Sequence, residues 1–321
     1  MCADCRDHFV RFPIPHWVRA FAGAVVILVL FSLYTFPKNI SAAISLEKGK
    51  KAEKEKKYVT AQREMEDVLE KIPRNVEARG HLIIDAFYNR DYDAMGEQYE
   101  YVRYSGFDDH ELVGQIDYVM SKSSLFFVDS TDSFPKFRKA HPDLQLLPDT
   151  SWKNYMGRNP HDILALSFYG NILYESGRYE LCDSCMRQIL LLDRENGGAF
   201  GMLSAVKRKQ HKLDSALYYN ERLLAINKEL PDGLESKART LLLLRRDKEA
   251  LSLAREGYEL GNKDLYSQTT LILAYHFNGL ATDRDDLIKK ATIAAATADS
   301  SDREIFRYAI DVVTNKEKFR D

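Results

Sequence analysis

Apolar and small residues along this chain fall in two helical stripes per unit, and the unit repeats every 34 residues. Small residues stand at Cys182, Ala216 and Ala250, and the residues twelve positions earlier are also small: Gly170, Ser204 and Ala238. Large apolar residues surround them at helical spacing, as in Leu166, Tyr169 and Leu173 of one unit and Phe200 and Leu203 of the next. Gly177–Cys182, His211–Ala216 and Arg245–Ala250 fall in one register. The pattern predicts antiparallel helix pairs whose backbones approach where only a small side chain fits. One pair cannot bury its own apolar face, so the units must stack.

The register weakens toward both ends. Gly49, Tyr58, Ala61 and Pro73 fit a unit over about 42 to 75, and Tyr92 and Met95 continue it. Between Met95 and Cys182 the phase slips, and Pro135, Pro142, Pro148 and Pro160 interrupt helix pairing. Phe126, Phe127, Phe134, Phe137 and Trp152 are too many aromatics for a disordered linker, so an ordered plug is expected there. After Gly279, a turn lengthened over Ala281 to Asp286 precedes a helix near 287–298, and Asp302 is the expected N-cap of a final capping helix.

A 34-residue helix-turn-helix unit with these small positions resembles the tetratricopeptide repeat (TPR), most firmly from Ile163 to Asp264. The resemblance implies an all-α, TPR-like superhelical solenoid whose inner face binds an extended peptide or a partner helix. Carried onto this register, it implies partner-groove residues Asn171, Tyr174, Arg208, Lys209, Arg239, Tyr266 and His276. Members that clamp a chaperone's terminal carboxylate carry Lys at the fifth position of the unit. Ser167, Gly201 and Glu235 stand there in this chain, which speaks against that function.

Ahead of the repeats, the twenty residues from Trp17 to Phe36 hold one charge, Arg19, and would span about 30 Å as a helix. Trp17, Tyr34 and Phe36 are placed as interfacial rings, and Pro37 is the expected end of the span. A cleaved signal peptide is the rival reading, because Ser41-Ala42-Ala43 has the composition of a cleavage site. The expected division is a tail over 1–16, a transmembrane helix over 17–36 and a membrane-proximal repeat block over 42–109. An irregular insert with one helix over 110–162, the main repeat block over 163–300, and a capping helix and tail over 301–321 follow. Arg6, Arg11 and Arg19 on one side nearly balance Lys38 and the lysines from Lys48 on the other, so charge does not fix orientation. The orientation adopted keeps the tail in the cytosol of a bacterial cell and the repeats outside the inner membrane.

The 321 residues carry a net charge of −2 with both signs interspersed, which offers no basic stripe for nucleic acid. Phosphate loops, nucleophile elbows and paired-histidine metal motifs are missing, and with them any implied cofactor, small-molecule substrate or catalytic set. Cys2, Cys5, His8 and His16 could offer four metal ligands, but at a nonstandard spacing. Cys182 and Cys185 share a helix face, and Cys182 is already explained by packing. The leading reading is a non-enzymatic, single-span membrane scaffold that binds a protein partner near the bilayer. The alternative is a zinc- or thiol-responsive sensor built on the amino-terminal Cys pair.

Overall fold

The computed structural model describes residues 15–107, 109–127 and 133–320, and no strand occurs among them. Helices α1 (His16–Lys54) and α2 (Tyr58–Lys71) pair, as do α3 (Val76–Asn89) and α4 (Tyr92–Val102); α5 (His110–Phe127) adds a fifth layer. Two short helices follow, α6 (Ser133–Ala140) and α7 (Asp149–Arg158). Four more pairs come next: α8 (Ile163–Glu175) with α9 (Tyr179–Leu192), α10 (Gly197–Lys209) with α11 (Leu213–Ile226), α12 (Pro231–Leu243) with α13 (Asp247–Leu260), and α14 (Leu265–Phe277) with α15 (Ala281–Ala295). Helix α16 (Ser300–Val313) closes the stack on α14, burying Phe306, Ala309 and Val312.

Both helices of the four later pairs start in steps of 34, at Ile163, Gly197, Pro231 and Leu265 and at Tyr179, Leu213, Asp247 and Ala281. The predicted crossing residues Cys182, Ala216, Ala250, Ser204 and Ala238 are fully buried. Gly170 abuts the Met186 thioether methyl, where an added Cβ would displace it. The turns are equally regular. Lys56, Arg90, Gly177, His211, Arg245 and Gly279 all have φ between 56° and 74°. The next N–H in each case donates to the carbonyl five residues back, as in Arg178 to Leu173 at 2.8 Å and Lys212 to Lys207 at 2.9 Å. This left-handed closure satisfies carbonyls that the helix end leaves open. Most inner helices then begin with a side-chain cap: Asn75, Asp162, Asn196 and Asp264 each accept from the N–H three residues on, at 2.8 to 2.9 Å.

Five expectations change. Pro37 does not end α1, which runs on to Lys54 because Ala42, Ser45 and Ala52 pack into the first pair and offset the lost backbone bond. Helix α5 belongs with the amino-terminal block: it starts 34 residues after α3, and Leu112, Ile116 and Val119 join the cluster of Ile83, Ala86 and Met95. The stretch 110–162 holds three α-helices, not one, with the prolines falling near their ends. Helix α15 starts at Ala281 without a lengthened turn, because Gly279 supplies the same left-handed closure as the other units. Asp299, not Asp302, caps α16, accepting from Asp302 N–H at 2.8 Å.

Around α6 and α7, Phe134 and Trp152 are buried against α8, with Trp152 stacked on Tyr169 at 5.1 Å between centroids. Asp149 at the start of α7 accepts from Tyr169 Oη at 3.0 Å and from both ends of the Arg178 guanidinium. The side chains of Phe126 and Phe127 lie outside the described residues.

The two blocks meet edge to edge, turn against turn. Lys228 N–H donates to Lys56 O at 2.9 Å, and Lys56 Nζ donates to Ala225 O at 3.0 Å. Glu229 accepts from Thr60 N–H and Oγ1 at 2.8 and 2.9 Å. Asn227 Nδ2 donates to Tyr88 O and Asn89 Oδ1, and Lys122 reaches Asp193 at 2.5 Å.

Candidate functional site

The inner face of the later pairs is lined by α8, α10, α12 and α14, and four of the seven expected groove residues meet there. Arg239 on α12 places its guanidinium carbon 4.1 Å above the Tyr266 ring of α14 and donates from Nε to Thr270 Oγ1 at 2.7 Å. Its Nη2 is buried and has no hydrogen-bond partner. Arg208 on α10 reaches across to α12, donating from Nη1 to Ser236 Oγ at 2.6 Å and to Ser236 O at 3.2 Å. Tyr174 on α8 sits close enough to feel both cations, and its ring packs edge-on against Tyr179 at 5.7 Å.

Electrostatically this row is uncompensated. Burial pulls the Arg208 guanidinium below its ordinary pKa, and Arg239 adds repulsion in the same direction. Among the described residues neither arginine has a carboxylate at ion-pair distance. Glu235, four residues before Arg239 on α12, is itself buried, and that burial raises its pKa to about 8, so it stays largely protonated at neutral pH.

Beneath the row runs a buried polar ladder that the periodicity does not reveal. Ser204 Oγ donates to Asn220 Oδ1 at 2.7 Å, Asn220 Nδ2 to Thr240 Oγ1 at 2.9 Å, and Thr240 Oγ1 to Ser236 O at 3.0 Å. Ser204 therefore does more than keep a crossing narrow. Polar residues at core phases, Asn220 and Thr240 above all, were the available signal.

The other three expected groove residues stand apart. Asn171 and Lys209 are exposed. His276 lies at the far end of α14 beside Arg284, and burial together with Arg284 and Arg320 lowers its pKa.

The amino-terminal block has an inner face of its own, a cavity of about 550 Å³ lined by α1, α3 and α5. Glu53 sits in its wall, with both oxygens 2.9 and 3.0 Å from His81 Nδ1. His81 Nε2 is buried with no partner, as are both carboxylate oxygens of the fully buried Asp85. Burial and the neighbouring Glu53 push the Asp85 pKa well above its ordinary value.

Cys2, Cys5 and His8 lie outside the described residues, and His16 opens α1. Among the described residues no group of three or more His, Cys, Asp or Glu side chains is arranged to hold a metal. Cys182 and Cys185 are free and buried, and burial pushes their thiols up to about 12 and about 11, far from the thiolate that redox or metal chemistry needs.

No family model and no curated protein matches the chain. Among solved structures it is similar to a MamA protein, at 16% identity and TM-score 0.42 over 51% of this chain and 89% of that one. It is also similar to PilF of Pseudomonas aeruginosa, at 13% identity and TM-score 0.39 over 84% and 97%. A third is TTC0263, a thermophilic TPR protein of Thermus thermophilus, at 17% and 0.41 over 50% and 88%. At these scores the likenesses add nothing to what the helix pairs themselves carry, an all-α, TPR-like fold.

Proposed function

We propose that this chain is a non-enzymatic scaffold that holds a protein partner on the inner face of α8, α10, α12 and α14, close to a bilayer into which α1 inserts. The row Tyr174, Arg208, Arg239 and Tyr266 carries the reading. It spans four successive inner helices, and at about 8–10 Å between neighbouring axes that is a length suited to a peptide segment and not to a small molecule. No nucleophile, base and orienter come together along it, so binding is the mechanism.

Support for the anchor is the amino-terminal half of α1, where Trp17, Phe21, Leu28, Phe31 and Phe36 are exposed in a helix long and apolar enough to cross a membrane. The short tail stays in the cytosol and the helix pairs stand outside the inner membrane of a bacterium. Holding the partner's site at a fixed height above the bilayer raises its effective concentration there without further contacts.

Cross-linking in intact membranes, with a photoreactive residue at the exposed Lys209, should capture one protein in stoichiometric amount. Arg208→Glu with Arg239→Glu should abolish that capture. Capture unchanged by the double reversal would remove the groove assignment, and a reporter after Asp321 active only in the cytosol would invert the topology.

A further inference from the structure

The geometry points to an acidic peptide segment, carrying Asp or Glu side chains, as the occupant of the Arg208 and Arg239 row; this rests on the scaffold reading and specifies its partner.

Charge complementarity is the ground. Two guanidinium groups sit on a half-buried face, close enough to repel one another, and no carboxylate of the described residues pairs with either. Removing water from a cation is unfavourable unless an anion or a full set of hydrogen bonds replaces it. Arg208 has part of such a set, since Ser204, Ser236 and Thr240 accept from Nη1. Arg239 does not: Nε alone is used, and Nη2 is left buried and unpaired. Tyr266 beneath Arg239 holds the guanidinium plane in place, and with Nε on Thr270 and Nη2 enclosed, Nη1 is the nitrogen left to meet a carboxylate.

Extent argues for a peptide over a free ion. Tyr174 on α8 and Tyr266 on α14 bound the row at its two ends, and Tyr174 adds ring surface for side chains that flank the acidic ones. An extended chain advances about 3.3 Å per residue, so roughly eight residues would cover four inner helices. Side chains at alternate positions of such a segment face one side, and these would be the acidic ones.

The test uses the detergent-solubilised full chain and fluorescein-labelled peptides of alternating Glu and Ala, with Gln, Lys and phosphoserine counterparts, read by anisotropy. The Glu peptide should bind about tenfold or more tighter than the Gln peptide, with the Lys peptide silent and added salt weakening the contact. Arg239→Met, which leaves the buried ladder intact, should lose about tenfold, and Arg239→Lys should recover part of it. Arg208→Met adds a second reading if its helical signal and melting point hold. Equal binding of Glu and Gln peptides, or an unchanged affinity in Arg239→Met, would overturn the assignment; binding of the phosphoserine peptide alone would replace carboxylate with phosphate. A partner captured in membranes that ignores the Arg239 variants would overturn this inference while the scaffold reading stands.

Discussion

Along the inner helices of the amino-terminal block the chain places Glu53, His81 and Glu111, with Asp109 at the start of α5; along those of the later block it places Tyr174, Arg208, Arg239 and Tyr266. The same 34-residue step positions both sets, yet one face sets a histidine among carboxylates with Lys50 and Lys54 beside them, and the other gathers arginines over tyrosines. Packing residues are fixed by the repeat because every pair must cross at the same distance. Inward residues are not, so a single architecture presents two chemistries. Each block also hides one acid whose pKa burial raises, Asp85 in the first and Glu235 in the second.

The strongest way to break this comparison is to separate the blocks energetically at α7. Trp152 is fully buried against Tyr169 and Phe134. Trp152→Ala should cost about 3–5 kcal/mol through lost contacts and the cavity left behind. Hydrogen exchange should then rise across α8 and α9 while α1 to α4 keep their protection. Equal loss in both regions would show that the bonds from Glu229 and Asn227 make them one cooperative unit.

How much of this was legible beforehand follows from what the repeat constrains. Gly170, Ser204 and Ala238 disclosed the later pairs because a close crossing tolerates little else. Helix α5 was missed for the converse reason. Its equivalent position is Asp117, exposed because no long second helix follows to cross it, so the packing signal vanishes although the 34-residue step from Val76 to His110 persists. The register placed Tyr174, Arg208, Arg239 and Tyr266 on successive inner helices but could not show that Arg208 is rooted in Ser236. Contacts between Lys56 and Lys228 join turns far apart in sequence, which no periodicity records.

A pair of smaller effects sharpens the comparison by pH. For Glu235 the folded pKa of about 8 exceeds the unfolded value near 4.3, so the folded state holds a proton that the unfolded chain has released. Stability therefore falls as pH rises from about 4.3 to about 8 and stays low above it. Glu235→Gln should raise stability at pH 8 by an amount on the order of 2 kcal/mol, read as a higher melting point, with the gain shrinking toward pH 5. Asp85→Asn should act in the same direction, since its pKa is also raised, but the exchange change should be confined to α1 to α4. A destabilised Asp85→Asn at alkaline pH would mean that the carboxyl is ionised and held by a partner.

The smallest expected effect compares the turns of the two blocks. Lys56 and Arg90 in the first block, and His211 and Arg245 in the second, occupy the left-handed region that Gly177 and Gly279 fill without a Cβ. A non-glycine residue there costs about 1 kcal/mol from contact between Cβ and the backbone, offset in part by its smaller loss of chain entropy on folding. Replacing His211 or Arg90 by Gly should therefore stabilise by roughly 0.5 kcal/mol, and Gly279→Ala should destabilise by about 1 kcal/mol. Lys56→Gly should differ, because the Lys56 ammonium donates to Ala225 O across the block boundary and its loss cancels the turn's gain. Denaturant midpoints of the four variants would decide the matter. A gain at Lys56 equal to that at His211 would show that the Nζ contact contributes nothing to holding the two blocks together, leaving the Lys228 backbone bond, Glu229, Asn227 and the Lys122–Asp193 pair as the junction.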